Sequence, residues 1–596
     1  MTFQEKIKVI FTKAELVRLI YIFIGILIMG FFEVIGVSSI APFIAVVTSP
    51  ELIHENIYLN SLYVFFDFQT EVSFIVFIGI CVISILFISN GYLAFMNSVI
   101  TYFSCMQTSR LQIRLLENYL MKPYSFFLDR NTSDLGKNIL VEVNRVTTGY
   151  IMQLLQVFSK IIIALFLFSL LLFVNPTVAI TVIVVLGSAY WGIFKLVRQR
   201  LQKIGEATTK GNFIYYRTAG EAMSGIKDIK LRSSEDEFTK RFAVPSKKLH
   251  GYTAQRTIIS YLPRYLFEVI AFGGIVGIII SLLSTTTLAN AKTILPVISL
   301  YVMAGYRLMP ALQQIYSGVT NIKFNHSAFE TLVLEFSSFT NEKVKQRKHA
   351  RVPFKDKFEI SQLSFSYKNS HTKILDELNL IVYPNTTVGI VGSTGAGKTT
   401  LIDLILGLLV PESGSVSLDG VEINKHNISA WQNNIGYVPQ SIYLTDDTIE
   451  ANIAFAKSRD EINIDKAIKA AKLANLHEFI TTLPEQYKTF VGERGVRLSG
   501  GQRQRIGIAR ALYHDPTVLV LDEATSSLDG ITENAIMDAI NNLSHKNTII
   551  IIAHRLSTVK GCDIIHFMSN GQITDSGTYQ QLIDSNEEFK TMADHL

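Results

Sequence analysis

Residues 388–409 read VGIVGSTGAGKTTLIDLILGLL. A short apolar run ends on a glycine-rich turn and passes into an amphipathic segment. Gly392 to Thr399 fit GxxxxGKT in the context that pattern requires, after a strand and at the start of a helix. Glycines let backbone N–H groups close on an anion, and the helix N-terminus adds a favourable dipole. Gly392, Ser393, Thr394, Gly395, Ala396, Gly397, Lys398, Thr399 and Thr400 therefore form the expected cradle for a nucleotide's phosphates. Lys398 should reach the β and γ phosphates, and Thr399 should ligate Mg²⁺.

Downstream, PTVLVLDEATSSLD occupies 516–529. Its apolar residues Val518 to Leu521 predict a buried strand delivering Asp522 and Glu523 to its C-terminal end, where ligands bind in open α/β sheets. Asp522 is expected to hold Mg²⁺ and Glu523 to polarise an attacking water. An ordinary surface acidic pair would not follow so apolar a run. Short β-rich runs such as FEISQLSFSY and TTVGIVG alternate with helix-like segments, which predicts an α/β domain over 358–596.

Upstream the composition changes. The chain has 596 residues, 48% hydrophobic and only 18% charged, too long for a single core. Long apolar runs crowd residues 1–336, and six segments, at about 19–47, 73–102, 150–174, 177–198, 259–284 and 293–318, reach the roughly 20 apolar residues that a membrane helix needs. Glu33 interrupts the first, and NPT at 175–177 joins the third to the fourth. The connections 48–72 and 174–178 contain no Lys or Arg, and 284–292 has only Lys292, whereas 103–149 and 199–258 are rich in both. The positive-inside rule then places both termini and the two long connections in the cytoplasm.

Residues 3–18 mix Lys with Ile, Val and Phe at helical spacing, predicting a helix on the cytoplasmic membrane surface. The aromatic-rich stretch 55–68 falls on the outer side, either as a loop cover or as a short helix touching lipid. No cleavable signal peptide is expected, because the first apolar run is too long for one. The polar, charged stretch 337–357 reads as a linker. Cys81, Cys105 and Cys562 are widely separated, a poor basis for disulfides or zinc. The net charge of +5 bears on topology and does not call for a nucleic-acid partner.

Six further motifs make the C-terminal region resemble the nucleotide-binding domain of ATP-binding cassette (ABC) transporters. The most specific is LSGGQ at 498–502, followed by RQRIGIARAL. Tyr367 in FSYKNS, Gln440 in YVPQ, VGERG at 491–495, and His554 in IIAHRLST occur in the family's order, and SSLD at 526–529 keeps Asp529. The resemblance implies that Tyr367 stacks on adenine and that Gln440 senses Mg²⁺ and the membrane domain. It makes His554 a contact to the γ-phosphate, and adds Ser499, Gly500, Gly501 and Gln502 to the ATP site from a second chain. Glu523, His554 and Gln440 are thus the expected catalytic set, Thr399, Gln440 and Asp522 the Mg²⁺ set, and ATP the nucleotide. One copy of each motif per chain implies a half-transporter working as a homodimer. The fold class implied is an all-α, six-helix transmembrane exporter domain followed by an α/β P-loop ABC ATPase domain. A soluble two-cassette ATPase and an ATP-gated channel are the competing classes. Six spans argue against the first, and intact Glu523 and His554 against the second.

Stretches 122–134, KPYSFFLDRNTSD, and 221–232, EAMSGIKDIKLR, resemble the coupling helices of exporters. The membrane part is similar to PglK-type flippases of lipid-linked oligosaccharides in AGYRLMP at 304–310, in Pro263–Arg264 and in FFEVIGVSSIAPFIAV at 31–46. It departs from them at Asn90, where these flippases can present a further basic residue. The resemblance implies a cargo of polyprenyl-pyrophosphate-linked oligosaccharide, moved from the inner to the outer leaflet of a bacterial inner membrane. Arg264 and Arg307 are the candidate substrate contacts, since a charge inside a span is costly and marks function by default. The competing reading is a structural ion pair, with Glu33 as one partner. A lipid, drug or peptide exporter of the same architecture is the alternative function.

Overall fold

The computed structural model describes residues 1–174, 176–285, 291–338, 351–368, 372–523, 533, 536–538, 540, 543–544 and 546–594. The chain forms two compact units. One is Met1–Lys122 with Asp129–Glu342, and the other is Pro123–Leu128 with Lys343–Leu596.

The first unit is helical. Thr2 caps the helix Phe3–Ile10 through a capping box with Glu5, and Thr12 starts Lys13–Ser38 with Glu15 in the same way. The stretch 3–18 is therefore two helices and not one, because each Thr-x-x-Glu nucleates its own start. The chain continues through Ile40–Thr48 and the short helix Ile57–Phe65, capped by Asn56. Here Tyr63 and Phe68 pack edge-on against buried Phe74, each at 5.3 Å between centroids. Ile57, Tyr58 and Phe65 stay 80%, 81% and 80% exposed.

Helix Glu71–Leu120 follows, and beyond Ser125–Leu128, a short helix counted with the second unit, comes Thr132–Lys137. Two π-helical segments, Asn138–Glu142 and Thr147–Ile151, precede Met152–Val174. Pro176 opens Pro176–Ser224, a position where its missing N–H costs nothing. Helix Ile226–Leu231 separates this from Glu235–Thr285, and Ala291–Ser337 completes the unit.

Lys13–Thr48, Glu71–Leu120 and Thr132–Val174 are long and apolar enough to cross a membrane. The spans expected at 177–198, 259–284 and 293–318 fall in the last three long helices, parts of whose side chains lie outside the described residues. So do Asn175 of the predicted turn, most of the linker 337–357, and Asp529 with the rest of SSLD.

The second unit holds two sheets. β1 (Phe358–Phe365), β2 (Leu375–Val382), β4 (Ser413–Leu418) and β5 (Val421–Glu422) form an antiparallel sheet in the order β2-β1-β4-β5. β3 (Thr387–Gly392), β6 (Ile435–Val438), β7 (Val518–Asp522), β8 (Thr548–Ile552), β9 (Ile564–Ser569) and β10 (Gln572–Gly577) form the other, in the order β10-β9-β3-β8-β7-β6. All its pairings are parallel except that of β10 with β9. β3, β7 and β8 are buried at every position, as strands covered on both faces must be. Trp431 anchors the junction of the layers, stacked on Phe358 at 4.9 Å with its indole N–H donating to the Ile405 carbonyl at 2.7 Å.

Candidate active site

The register brings the C-terminal ends of three strands to one edge. Ile390 of β3 lies beside Ile552 of β8, and Asp522 of β7 beside the same Ile552. The phosphate loop leaves β3 at Gly392, the acidic pair leaves β7, and His554 lies two residues past β8. Such an edge is where open parallel sheets bind ligands.

Gly392 is packed so closely that a Cβ would lie 2.1 Å from the Met568 carbonyl oxygen. Gly397 has φ +97 and a Cβ there would meet Leu375 Cδ2 at 2.7 Å, so both positions require glycine. The helix Lys398–Ile405 starts immediately after. Lys398 is buried, and its Nζ donates to the carbonyls of Gly392 at 2.7 Å and Ser393 at 2.9 Å. The ammonium is thus folded over the loop it serves. Burial depresses its pKa, an effect opposed by the nearby carboxylates of Glu523 and Asp522. Thr399 is exposed beside it, and the Tyr367 hydroxyl lies 3.1 Å from that of Thr400.

Glu523 is the centre of the constellation. Its backbone sits at φ 48, a region uncommon for any residue but glycine, and its N–H donates to the Ile552 carbonyl at 3.0 Å. Gln440 Nε2 donates to Oε2 of Glu523 at 2.6 Å, and His554 Nε2 lies 2.7 Å from Oε1. Two of the three expected catalytic side chains, Gln440 and His554, are thus both joined to the third, Glu523. Asp522 accepts a hydrogen bond from the Tyr437 hydroxyl at 3.3 Å. Its pKa is raised by burial and by the adjacent Glu523.

Thr399, Gln440 and Asp522 offer hydroxyl, amide and carboxylate oxygens, a hard donor set that suits Mg²⁺.

Two neighbours went unremarked in the sequence. Tyr437, within YVPQ, orients Asp522. Asp403, in the helix after the loop, has its carboxyl pushed up to about 6 by burial and by the facing charge of Asp522. The run LIDLI shows Asp403 only as a polar break in an apolar helix, a signal too common to single it out.

Ser499 caps the helix Gly500–Leu512. Its Oγ accepts from the N–H of Gln502 at 3.2 Å, while the Gln502 side chain accepts from the Ser499 N–H at 2.9 Å. Ser499 and Gly500 are exposed and Gly501 is buried. This helix start thus offers its free end to solvent, and its side-chain bonds are made within its own first turn.

In the helical unit the two candidate arginines have separate surroundings. Arg307 Nη1 lies 3.1 Å from Oε1 of Glu33, whose side chain is 4% exposed. Arg264 pairs with Glu268 one turn away at 2.7 Å and is exposed. Both therefore have acidic partners, and the Arg307–Glu33 contact is the ion pair of the competing reading. No contact joins one arginine to the other among the described residues. Asn90 bonds back to the Leu86 carbonyl of its own helix at 2.8 Å.

Comparison with known proteins gives a consistent family. The profile described as ABC transporter matches residues 375–526, and that described as ABC transporter transmembrane region matches 19–303. The ATP-dependent lipid A-core flippase of Burkholderia pseudomallei (strain 1710b) is 30% identical over 476 residues, 80% of this chain and 78% of that protein. The protein of the same name from Saccharophagus degradans is 30% identical over 481 residues, 80% of this chain and 79% of that one. Among solved structures, a bacterial Atm1-family ABC exporter with ATP bound superposes with a TM-score of 0.78 at 21% identity, covering 98% of this chain and 99% of that one.

Proposed function

The chain belongs to the ABC transporter family, as a half-transporter of the exporter type, and we propose that it flips a polyprenyl-pyrophosphate-linked oligosaccharide from the inner to the outer leaflet of a bacterial inner membrane. ATP hydrolysis coupled to transport comes with the family.

The observation that carries the reading of a turnover-competent ATPase is Glu523 held by Gln440 on one oxygen and His554 on the other. Phosphoryl transfer is mostly positioning and charge stabilisation. Lys398 supplies a cation at the loop, Asp522 and Thr399 offer oxygens to Mg²⁺, and Glu523 is placed to orient the attacking water. Mg²⁺ bound there would neutralise developing phosphate charge. A single chain carries one phosphate loop and one LSGGQ segment, so we assign the working form to a homodimer in which Ser499 of the partner subunit completes each site.

The cargo assignment leans on Arg307, a planar, half-buried cation in a helix of the membrane unit, whose fork matches phosphate oxygens. Arg264, exposed and separate from Arg307, is retained as a second candidate contact. The similarity of 304–310 and 31–46 to PglK-type flippases supports the same cargo. A second reading, a lipid A-core type glycolipid, is favoured by the names of the relatives from Burkholderia and Saccharophagus. Both cargoes carry phosphate.

Purified protein in proteoliposomes with fluorescent lipid-linked oligosaccharide tests the assignment. ATP-dependent movement to the outer leaflet, lost in Glu523→Gln, is expected. If the oligosaccharide stays in place while labelled lipid A moves, the second reading replaces the first.

A further inference from the structure

Glu33 lies in the helix Lys13–Ser38, within a span apolar enough to cross a membrane, and is 3% exposed. One carboxylate oxygen meets Arg307 through a single guanidinium nitrogen at 3.1 Å. The other, Oε2, is buried and has no hydrogen-bond partner among the described residues. Lys160, half-buried in the helix Met152–Val174, lies close enough to interact electrostatically with both Glu33 and Arg307. It makes no ion pair within the described residues. The helices approach closely here, since a Cβ on Gly30 would lie 2.9 Å from Ile162 Cγ2.

Three charges thus influence one another inside the membrane unit, two cations against one carboxylate. A purely structural ion pair would balance its charge and satisfy both oxygens, because unpaired buried charge is costly. This group does neither. It has a surplus positive charge, and its arginine is engaged end-on, not through the bidentate fork that Arg prefers with carboxylate and phosphate. An incoming phosphate, with more charge and more acceptor oxygens than a carboxylate, can take both arginine prongs and the lysine together.

We infer that Glu33, Lys160 and Arg307 form a charge-exchange site for the phosphate of the cargo headgroup, in which Glu33 holds Arg307 until the phosphate takes its place. Glu33 is then a built-in competitor that sets a threshold of anionic strength. Lys160 is a specificity residue that favours phosphate over a neutral headgroup. The inference rests on the proposed reading that the cargo is a phosphorylated lipid, but not on which sugar or lipid it carries.

The test uses the full chain in phosphatidylcholine proteoliposomes. ATP hydrolysis is followed while polyprenyl pyrophosphate, lipid A or neutral polyprenol is titrated in separate arms. Glu33→Gln should lower the half-maximal concentration of the stimulating phosphorylated lipid at least threefold. Lys160→Gln should raise it about tenfold, with Lys160→Arg restoring it to within twofold of the parent. Polyprenol should not stimulate. Stimulation by lipid A alone would support this site while sinking the oligosaccharide cargo. The inference falls if Glu33→Gln raises or leaves unchanged that concentration, or if neither phosphorylated lipid stimulates the parent. Should Glu33→Gln fail to fold, the Lys160 pair decides: equal behaviour of Lys160→Gln and the parent overturns the site.

Discussion

At Glu523 the backbone and the side chain are constrained together: φ is 48, the N–H is tied to β8, and both carboxylate oxygens are engaged. A left-handed non-glycine residue costs about 1–3 kcal/mol and is retained where function needs the geometry. Glu523→Gln keeps the shape and removes the charge, so nucleotide binding should persist while phosphate release falls by roughly 100-fold or more, the scale of losing a positioned general base. Filter binding and a phosphate-release assay measure the two separately.

His566 makes a different kind of prediction. It is 6% exposed, its Nδ1 lies 2.7 Å from the Ser576 hydroxyl, and burial pushes its pKa from 6.5 down to about 4. The folded state favours the neutral ring, so its contribution is intact above pH 6.5 and is lost as pH falls toward 4. The loss is on the order of 3 kcal/mol for a shift of that size. Denaturant melts of His566→Leu should lack this part of the acid slope that the parent shows.

The residues legible from sequence at this scale are those whose function depends on near neighbours, as in GxxxxGKT. Lys160 escaped notice because its relation to Glu33 and Arg307 joins three helices far apart in sequence, and hydropathy shows only a lone lysine in an apolar run.

Among the elements, the strands were legible because parallel strands buried on both faces are simply apolar runs. The two π-helical segments were not, since nothing in a 3.6-residue pattern marks an inserted residue. They flank Val143–Val146 and frame a polar lock. Glu142, fully buried, accepts from Arg145 at 2.8 Å and from Asn212 at 3.0 Å. Arg145 also donates to Asn325 at 3.3 Å and to Thr209 at 3.1 Å, so three long helices are joined at one point. Glu142→Ala would leave Arg145 as a buried, uncompensated cation, which costs about 3–5 kcal/mol. The expected outcome is a clear loss of thermal stability in detergent, with Glu142→Gln retaining part of it through the Asn212 and Arg145 bonds. In the other unit, Gly392→Ala would drive a methyl into the Met568 carbonyl. Overpacking of this kind costs about 1–3 kcal/mol, and here it should also weaken nucleotide binding, because the loop cannot back away without moving β3 from β9.

For the whole molecule, the placement of Ser499 sets the decisive experiment. Its cap is complete within its own helix and its outward end is exposed, as expected of a surface that meets a nucleotide held by another chain. Lys398→Ala should inactivate the phosphate loop, and Ser499→Arg should block the LSGGQ end. Each substituted protein alone is expected to be inactive. In a mixed dimer, however, one site combines the intact loop of one chain with the intact LSGGQ end of the other, while the second site inherits both defects. Co-expression with two affinity tags and sequential purification isolates this mixed species. A two-fold symmetric assembly of composite sites predicts recovery of up to roughly half the parental hydrolysis per mixed dimer. If each chain closed its own site, the mixed dimer would be as inactive as its parents. Recovery is therefore possible only where the ATP site is shared between chains, and its absence would remove the homodimer from the proposed mechanism.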